Sequence, residues 1–362
     1  MSGLRVSRQI LMLAAVAALL LGVQPSVVVG AQPVGAQSKN PRDQHVRLRR
    51  QGPPPKSQEA LAANPREAIN AWTVGLAGGL LEGAPIRLAA EMARVVDDGN
   101  NMHVLPVVTR GPTENVNSLL YLRGIDVAII NSDSLDEYKS QVPDIQHKIN
   151  YVLNLFPSEL HVFVRPEIKS LNDLVGKKVN FNTLGTAAAY SGPLIFSRLG
   201  LDVDKTFIPH QIALEQMRKG ENGMAAVVFV TGKPVDAFVK GHFDPGFKFL
   251  PVPYSSKFED YYLPSTLEST DYPNLIKPGE RIETVAVQTA LVSFNWPTNS
   301  DRYDRVARFV DYLFTRFDKL QGPGFDPQWK SINLAGTVPG LTRVPPAQAW
   351  LDHHGRPSQA SQ

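Results

Sequence analysis

Cysteine is absent from all 362 residues. Its absence excludes disulfides, thiolate metal sites, a cysteine nucleophile and a lipid-modified cysteine anchor. A surplus of charge of one sign is nearly absent as well. The chain has 37 Lys and Arg against 34 Asp and Glu, for a formal net charge of +3. Arg5 and Arg8 account for two of those three charges, because residues 1–36 hold no acid. What remains is close to neutral and does not suit a nucleic-acid partner, which would call for a strongly basic domain. The usual catalytic spacings are missing too: there is no GxSxG elbow, no GxxxxGK(S/T) phosphate loop, no GxGxxG fingerprint and no HExxH pair. The eight histidines are scattered. No metal or other cofactor is expected. Ser132 and Ser191 carry hydroxyls, but the sequence supplies neither with a neighbouring base. An enzyme is not expected.

Hydrophobic residues make up 43% of the chain and charged residues 20%, enough for about two globular domains with a sizeable core. Residues 1–36 read as a secretory signal peptide. Arg5 and Arg8 form the positive start and residues 10–23 the apolar stretch. Val29-Gly30-Ala31 or Val34-Gly35-Ala36 offers the small-residue cleavage site. The apolar stretch is shorter than the ~18–20 residues that span a bilayer. Residues 37–67 are polar, basic and proline-bearing, ending near Gly52-Pro53-Pro54-Pro55, and read as a disordered leader. The mature protein is expected free in an extracytoplasmic space.

Beyond residue 68 the chain alternates strand-like and helix-like runs. Strands are expected over 69–74, 104–108 and 125–130, with helices over 84–97 and from Thr113, read as an N-cap, to a stop at Gly124. The alternation restarts with an extended run at 159–164, strands at 178–181 and 225–230, and helices at 187–199, 214–220 and from 235. Another extended run at 284–294 reads as the return crossing. A strongly amphipathic helix follows over 302–320, and then a Gly- and Pro-rich tail with Trp329 and Trp350. This pattern implies two α/β lobes, residues 68–161 plus 285–362 and residues 162–284, joined by a hinge with a ligand cleft between them. The protein is expected to be a monomer.

The candidate binding residues lie in the turns that follow strands. Gly78 and Gly79 belong to the first turn. Arg110, Thr113 and Asn115 follow the second strand and open a helix, where backbone N–H groups and the positive helix end favour a carboxylate. Asn131 and Ser132 end a buried strand. Asp133 beside them either accepts from a ligand ammonium or caps the next helix. Gly185, Thr186 and Ala187 form a close-approach turn in the second lobe, and Tyr190 lies one turn into its helix. Thr231, Gly232 and Lys233 follow another strand, and Lys233 is a candidate charge partner for an acid.

Several segments resemble the TAXI-type solute receptors of tripartite ATP-independent periplasmic (TRAP) transporters. They are Gly111-Pro112-Thr113-Glu114-Asn115, residues 124–133 (GIDVAIINSD), residues 171–179 (LNDLVGKKV) and Phe229-Val230-Thr231-Gly232-Lys233-Pro234. The similarity runs from about Trp72 to Trp350. It implies the type II periplasmic-binding fold, a small organic anion such as an amino acid or carboxylate as ligand, and an integral membrane permease as partner. Two turns depart from the family pattern. The first is Gly75-Leu76-Ala77-Gly78-Gly79-Leu80-Leu81-Glu82 and the fourth is Asn182-Thr183-Leu184-Gly185-Thr186, and both replace hydroxyls with leucine. An alternative role is a periplasmic ligand-sensing receptor that presents its closed form to a membrane sensor kinase.

Overall fold

The computed structural model describes residues 65–81 and 83–354. The expected signal peptide and nearly all of the expected leader lie outside the described residues. Helix α1 (Pro65–Ala71) leads into strand β1 (Thr73–Ala77). The strand expected from residue 69 therefore starts at 73. Next come α2 (Ala84–Val96), β2 (His103–Val107), α3 (Pro112–Tyr121) and β3 (Val127–Asn131), and then a 3-10 helix over Ser132–Tyr138. Thr113 is not the cap of α3. Gly111 occupies that position at φ 137°, with Pro112 as the first helical residue.

Strand β4 (Ile149–Val164) is far longer than the run read at 159–164. Asn150, Asn154 and Pro157 hide its first part from an apolar pattern. Pro157 nevertheless lies opposite Gln288 in the ladder. The chain continues through β5 (Lys178–Asn180), α4 (Ala187–Leu199), β6 (Asp204–Thr206), α5 (His210–Lys219), β7 (Met224–Thr231), β8 (Lys248–Leu250), β9 (Tyr262–Glu268), β10 (Arg281–Phe294), α6 (Asp301–Thr315) and α7 (Pro345–His354). Gly200 and Gly220 end α4 and α5 in the left-handed region, which glycine enters without penalty.

The ten strands among the described residues form one curled mixed sheet. One half runs β2-β1-β3-β10-β4, and the other runs β6-β5-β7-β4-β8. Each half holds parallel strands in the order second-first-third. A long antiparallel strand comes next, β10 in one half and β4 in the other, with a fourth strand beyond it. This repeated order is that of the type II periplasmic-binding fold. Strands β4 and β10 pair with each other from Ile149↔Phe294 to Glu159↔Ala286. Beyond Glu159, β4 pairs with β7, while β10 from Val287 back to Arg281 pairs with β9. Both long strands therefore serve the two halves.

Side chains of β1 and β3 alternate between the sheet faces, as period 2 requires. Leu76, Val127 and Ile129 enter a core with α2, α6 and the tail residue Trp329, whereas Ala77, Ala128 and Ile130 pack with α3 and the 3-10 helix. The other half repeats this arrangement. Val179, Val228 and Val230 pack under α4, and Val227 and Phe229 face α5 among a cluster of phenylalanines. The tail is anchored by Trp329, whose indole Nε1 donates to Glu91 Oε2 at 2.6 Å. No described helix is long and apolar enough to cross a membrane.

Candidate functional site

The turns at the carboxyl ends of the strands meet. Gly111, just after β2, lies against Gly185 and Thr186, just before α4. A Cβ on Gly111 would stand 2.7 Å from the Gly185 carbonyl oxygen, and one on Gly185 would stand 2.9 Å from Arg110 Cβ. Only glycine permits this approach, and both residues hold positive φ. The two halves of the sheet are therefore in contact at these turns, in a closed arrangement.

Two tyrosines before and at the start of β9 span the junction. Tyr262 donates to Asp133 Oδ2 at 2.9 Å. Tyr261 donates to Asp136 Oδ1 at 2.6 Å and accepts from Lys139 Nζ at 2.7 Å. Asp133 is fully buried, and burial pushes its carboxyl up to about 6. The nearby Ser191 hydroxyl and the Tyr262 bond moderate that rise. Asp133 Oδ1 and Ser191 Oγ nonetheless lack hydrogen-bond geometry, and both stand buried without a partner. Such orphaned atoms are rare in a folded protein, and each calls for an explanation.

The expected site residues fall into three groups. Asn131, Ser132, Thr186 and Tyr190 surround Asp133 or lie on the elements that carry it and Ser191. Asn131 Nδ2 donates to Thr289 Oγ1 at 3.3 Å, and Ser158 and Thr289 share a bond of 2.8 Å behind it. Burial and the charge of Asp133 raise the Tyr190 phenol above its usual range. Thr186 caps α4: its Oγ1 accepts from Ala189 N at 3.3 Å and donates to the Thr183 carbonyl at 2.8 Å. As first residue of a 13-residue helix, Ala187 has an N–H without an intrahelical acceptor, and the next residue Ala188 shares this.

A second group is occupied with holding the turns. Asn115 is fully buried and donates to the carbonyls of Gly78 at 2.8 Å and Ile129 at 2.7 Å, and it accepts from Thr109 at 2.7 Å. It ties the first turn, β3 and α3 together. Gly78 is buried and leaves no room for a Cβ, which would stand 2.8 Å from Ile86 Cα. Gly79 accepts from Thr109 N at 3.0 Å. Thr113 donates to Glu137 Oε2 at 2.9 Å. Arg110 is exposed, and Glu114 Oε2 accepts from its backbone N at 2.7 Å and its Nε at 3.2 Å. The start of α3 thus faces a carboxylate of the chain itself.

The third group lies where β4 changes partners. Lys233 Nζ pairs with Asp271 at 2.9 Å and donates to the Thr266 carbonyl at 2.6 Å, and its backbone N donates to Glu159 Oε2 at 3.2 Å. Gly232 sits where a Cβ would meet Gln328 and the Phe156 ring, and Thr231 lies opposite Glu159 in the ladder. Burial raises Glu159 to about 7 against the pull of Lys233. Beside it His161 is fully buried and held near 3, so it is neutral at physiological pH. The Tyr272 hydroxyl bonds its Nε2 at 2.7 Å, and its Nδ1 donates to the Glu159 carbonyl at 2.9 Å.

Tyr261, Tyr262 and Glu159 did not stand out in the sequence, and Ser191 was read only as a hydroxyl without a neighbouring base. A Glu and a His inside the apolar run 159–164 were the visible signal for one of them. The tyrosines gave none, because their partners are over a hundred residues away in sequence. Among the described residues no group of His, Asp and Glu has the arrangement of a metal site.

No family model and no curated protein matches the chain. Solved structures do resemble it. A protein of Bordetella bronchiseptica RB50 superposes with a TM-score of 0.50 at 11% identity, over 79% of this chain and 98% of its own. The periplasmic VFT2 domain of BvgS from Bordetella pertussis gives 0.42 at 13% identity, over 75% and 98%. Arginine-bound, truncated ArgBP from T. maritima gives 0.38 at 13% identity, over 68% and 97%. At these identities the likeness is one of fold.

Proposed function

We propose that this chain is an extracytoplasmic solute-binding protein that closes on a small organic anion bearing an amino group, an amino acid being the simplest case. The observation that carries this reading is the junction itself. Turns from both halves of the sheet converge there, and they leave a buried carboxylate oxygen and a buried hydroxyl with no partner. An ammonium supplies the donors that Asp133 Oδ1 and Ser191 Oγ lack. The carboxylate of the same molecule suits the free amides of Ala187 and Ala188 at the positive end of α4. Tyr190 and Tyr262 wall the site, and Asn131 and Ser132 offer further polar atoms.

Residues 68–161 with 285–362 form one lobe in this reading, and residues 162–284 form the other. The hinge lies where β4 and β10 exchange partners, near Glu159 and Ala286. Closure traps the solute and expels water. Nothing covalent is required. The resemblance of residues 124–133 and 229–234 to TAXI receptors makes a TRAP-type permease the partner and the periplasm the compartment.

Thermal unfolding of the mature chain in the presence of single amino acids and simple carboxylates tests the reading. A ligand at 100 times its Kd adds about 2.7 kcal/mol of stability. Stabilisation by α-amino acids, lost with Ser191→Ala, is the expected result. Equal response to amino acids and to the matching deaminated acids removes Asp133 from recognition.

A further inference from the structure

A second polar feature lies at the opposite end of β3. Asp126 precedes the strand and Asp133 follows it, so the five residues of β3 hold the two places ~16 Å apart. A surface cavity of about 430 Å³ opens there, lined by Tyr121, Leu122, Arg123, Arg302 and Arg305 among others. Three arginines thus line one space, and one carboxylate lies beside two of them, Arg302 and Arg305. Asp126 is almost fully buried and lies 3.6 Å from Arg302 Nε and 3.8 Å from Arg305 Nη2. Both separations exceed a hydrogen bond. Asp126 Oδ1 and Arg305 Nε are each buried with no hydrogen-bond partner. Arg123 is exposed and forms no ion pair among the described residues.

The arginines are held in place. Arg302 and Arg305 lie three residues apart at the start of α6, so they project from one face. The Arg302 guanidinium stacks on the Trp296 ring at 4.4 Å from its centroid. Burial and the neighbouring Arg305 and Arg123 make its charge harder to keep. A doubly charged oxyanion relieves that crowding with forked hydrogen bonds, the geometry that planar guanidinium groups favour. The cavity rim is apolar and exposed, with Tyr121 63% and Leu122 54% accessible. That suits a guest with a flat carbon body behind its charge.

We propose that this cavity is a second binding site, separate from the junction of the turns, for a small organic dianion: an aryl phosphate monoester or an aryl dicarboxylate. Asp126 positions Arg302 and Arg305, Arg123 closes over the oxyanion, and Tyr121 covers the ring.

Calorimetric titration of the full mature chain with phenyl phosphate, phthalate and inorganic phosphate tests this. Saturable binding of phenyl phosphate or phthalate with one molecule per chain is expected, tighter than inorganic phosphate and weakened by added salt. Whichever of the two binds more tightly identifies the oxyanion. Arg123→Ala touches no buried group and should weaken that binding about tenfold, a loss typical of one charged hydrogen bond. Asp133→Asn should leave it unchanged. The proposal is overturned if neither aryl dianion binds, if Arg123→Ala binds as well as the parent, or if Asp133→Asn abolishes binding and so assigns the guest to the junction.

Discussion

Replacing Asp133 by asparagine should make the unliganded protein more stable, although the residue is buried and its partner Tyr262 is in place. The carboxyl ordinarily titrates at 3.8 and is raised to about 6 in the folded chain. Between these values the folded protein holds a proton that the unfolded chain has released. The linkage contribution of Asp133 is therefore present below about pH 4 and lost as pH rises through 6. Each pKa unit corresponds to about 1.4 kcal/mol, so the charged form above pH 7 carries a penalty of about 3 kcal/mol. Asp133→Asn removes the charge and keeps an amide oxygen as acceptor for Tyr262. In a domain of this size 1 kcal/mol moves the Tm by about 2–4 °C. The variant should melt about 6–12 °C higher at pH 8 and only about 2–4 °C higher at pH 4.5, where the linkage penalty is about 1 kcal/mol. Calorimetric melts of both proteins across that range decide the matter. A variant that melts lower at pH 8, or whose gain is the same at both pH values, refutes the claim that a lone carboxylate is trapped there. The same variant should no longer respond to amino acids, so that a gain in stability accompanies a loss of binding.

Other perturbations test the surrounding structure. Glu159, raised to about 7 by burial, adds a second component of the same sign, lost as pH rises through 7; Glu159→Gln should flatten the melting profile between pH 5 and 8. Gly111→Ala places a Cβ 2.7 Å from the Gly185 carbonyl in a backbone region that costs of order 1–3 kcal/mol, so X-ray scattering should show a larger radius of gyration; an unchanged curve would show that the turns do not press together. Trp329→Ala removes a fully buried indole and its bond to Glu91 and should cost about 3–5 kcal/mol in urea unfolding. Lys233→Ala leaves Asp271 unpaired beside Glu159, and a lower urea midpoint is expected even when no ligand is present.

The sequence revealed the elements better than the contacts between them. Helix α4 was legible to the residue because Thr186 and Gly200 mark its ends. Strand β4 was half hidden, since its ladder tolerates Pro157 and two asparagines that look like loop. Thr113 looked like a cap, but Gly111 and Pro112 took that place through backbone geometry that no side-chain pattern announces. The turns could be read as candidate anion sites. That Glu114 would occupy the start of α3, and that Asp271 would hold Lys233, depended on side-chain reach across three-dimensional neighbours. Tyr261 and Tyr262 were invisible for the same reason.

Two long strands, rather than one flexible tether, cross between the halves of the sheet. A single tether lets two bodies tilt and swivel freely. A pair of hydrogen-bonded spans behaves like a door on two pins and leaves one easy rotation. If the chain is the solute receptor proposed above, a departing guest leaves through one mouth, and a membrane component that receives it meets a single swing of the molecule.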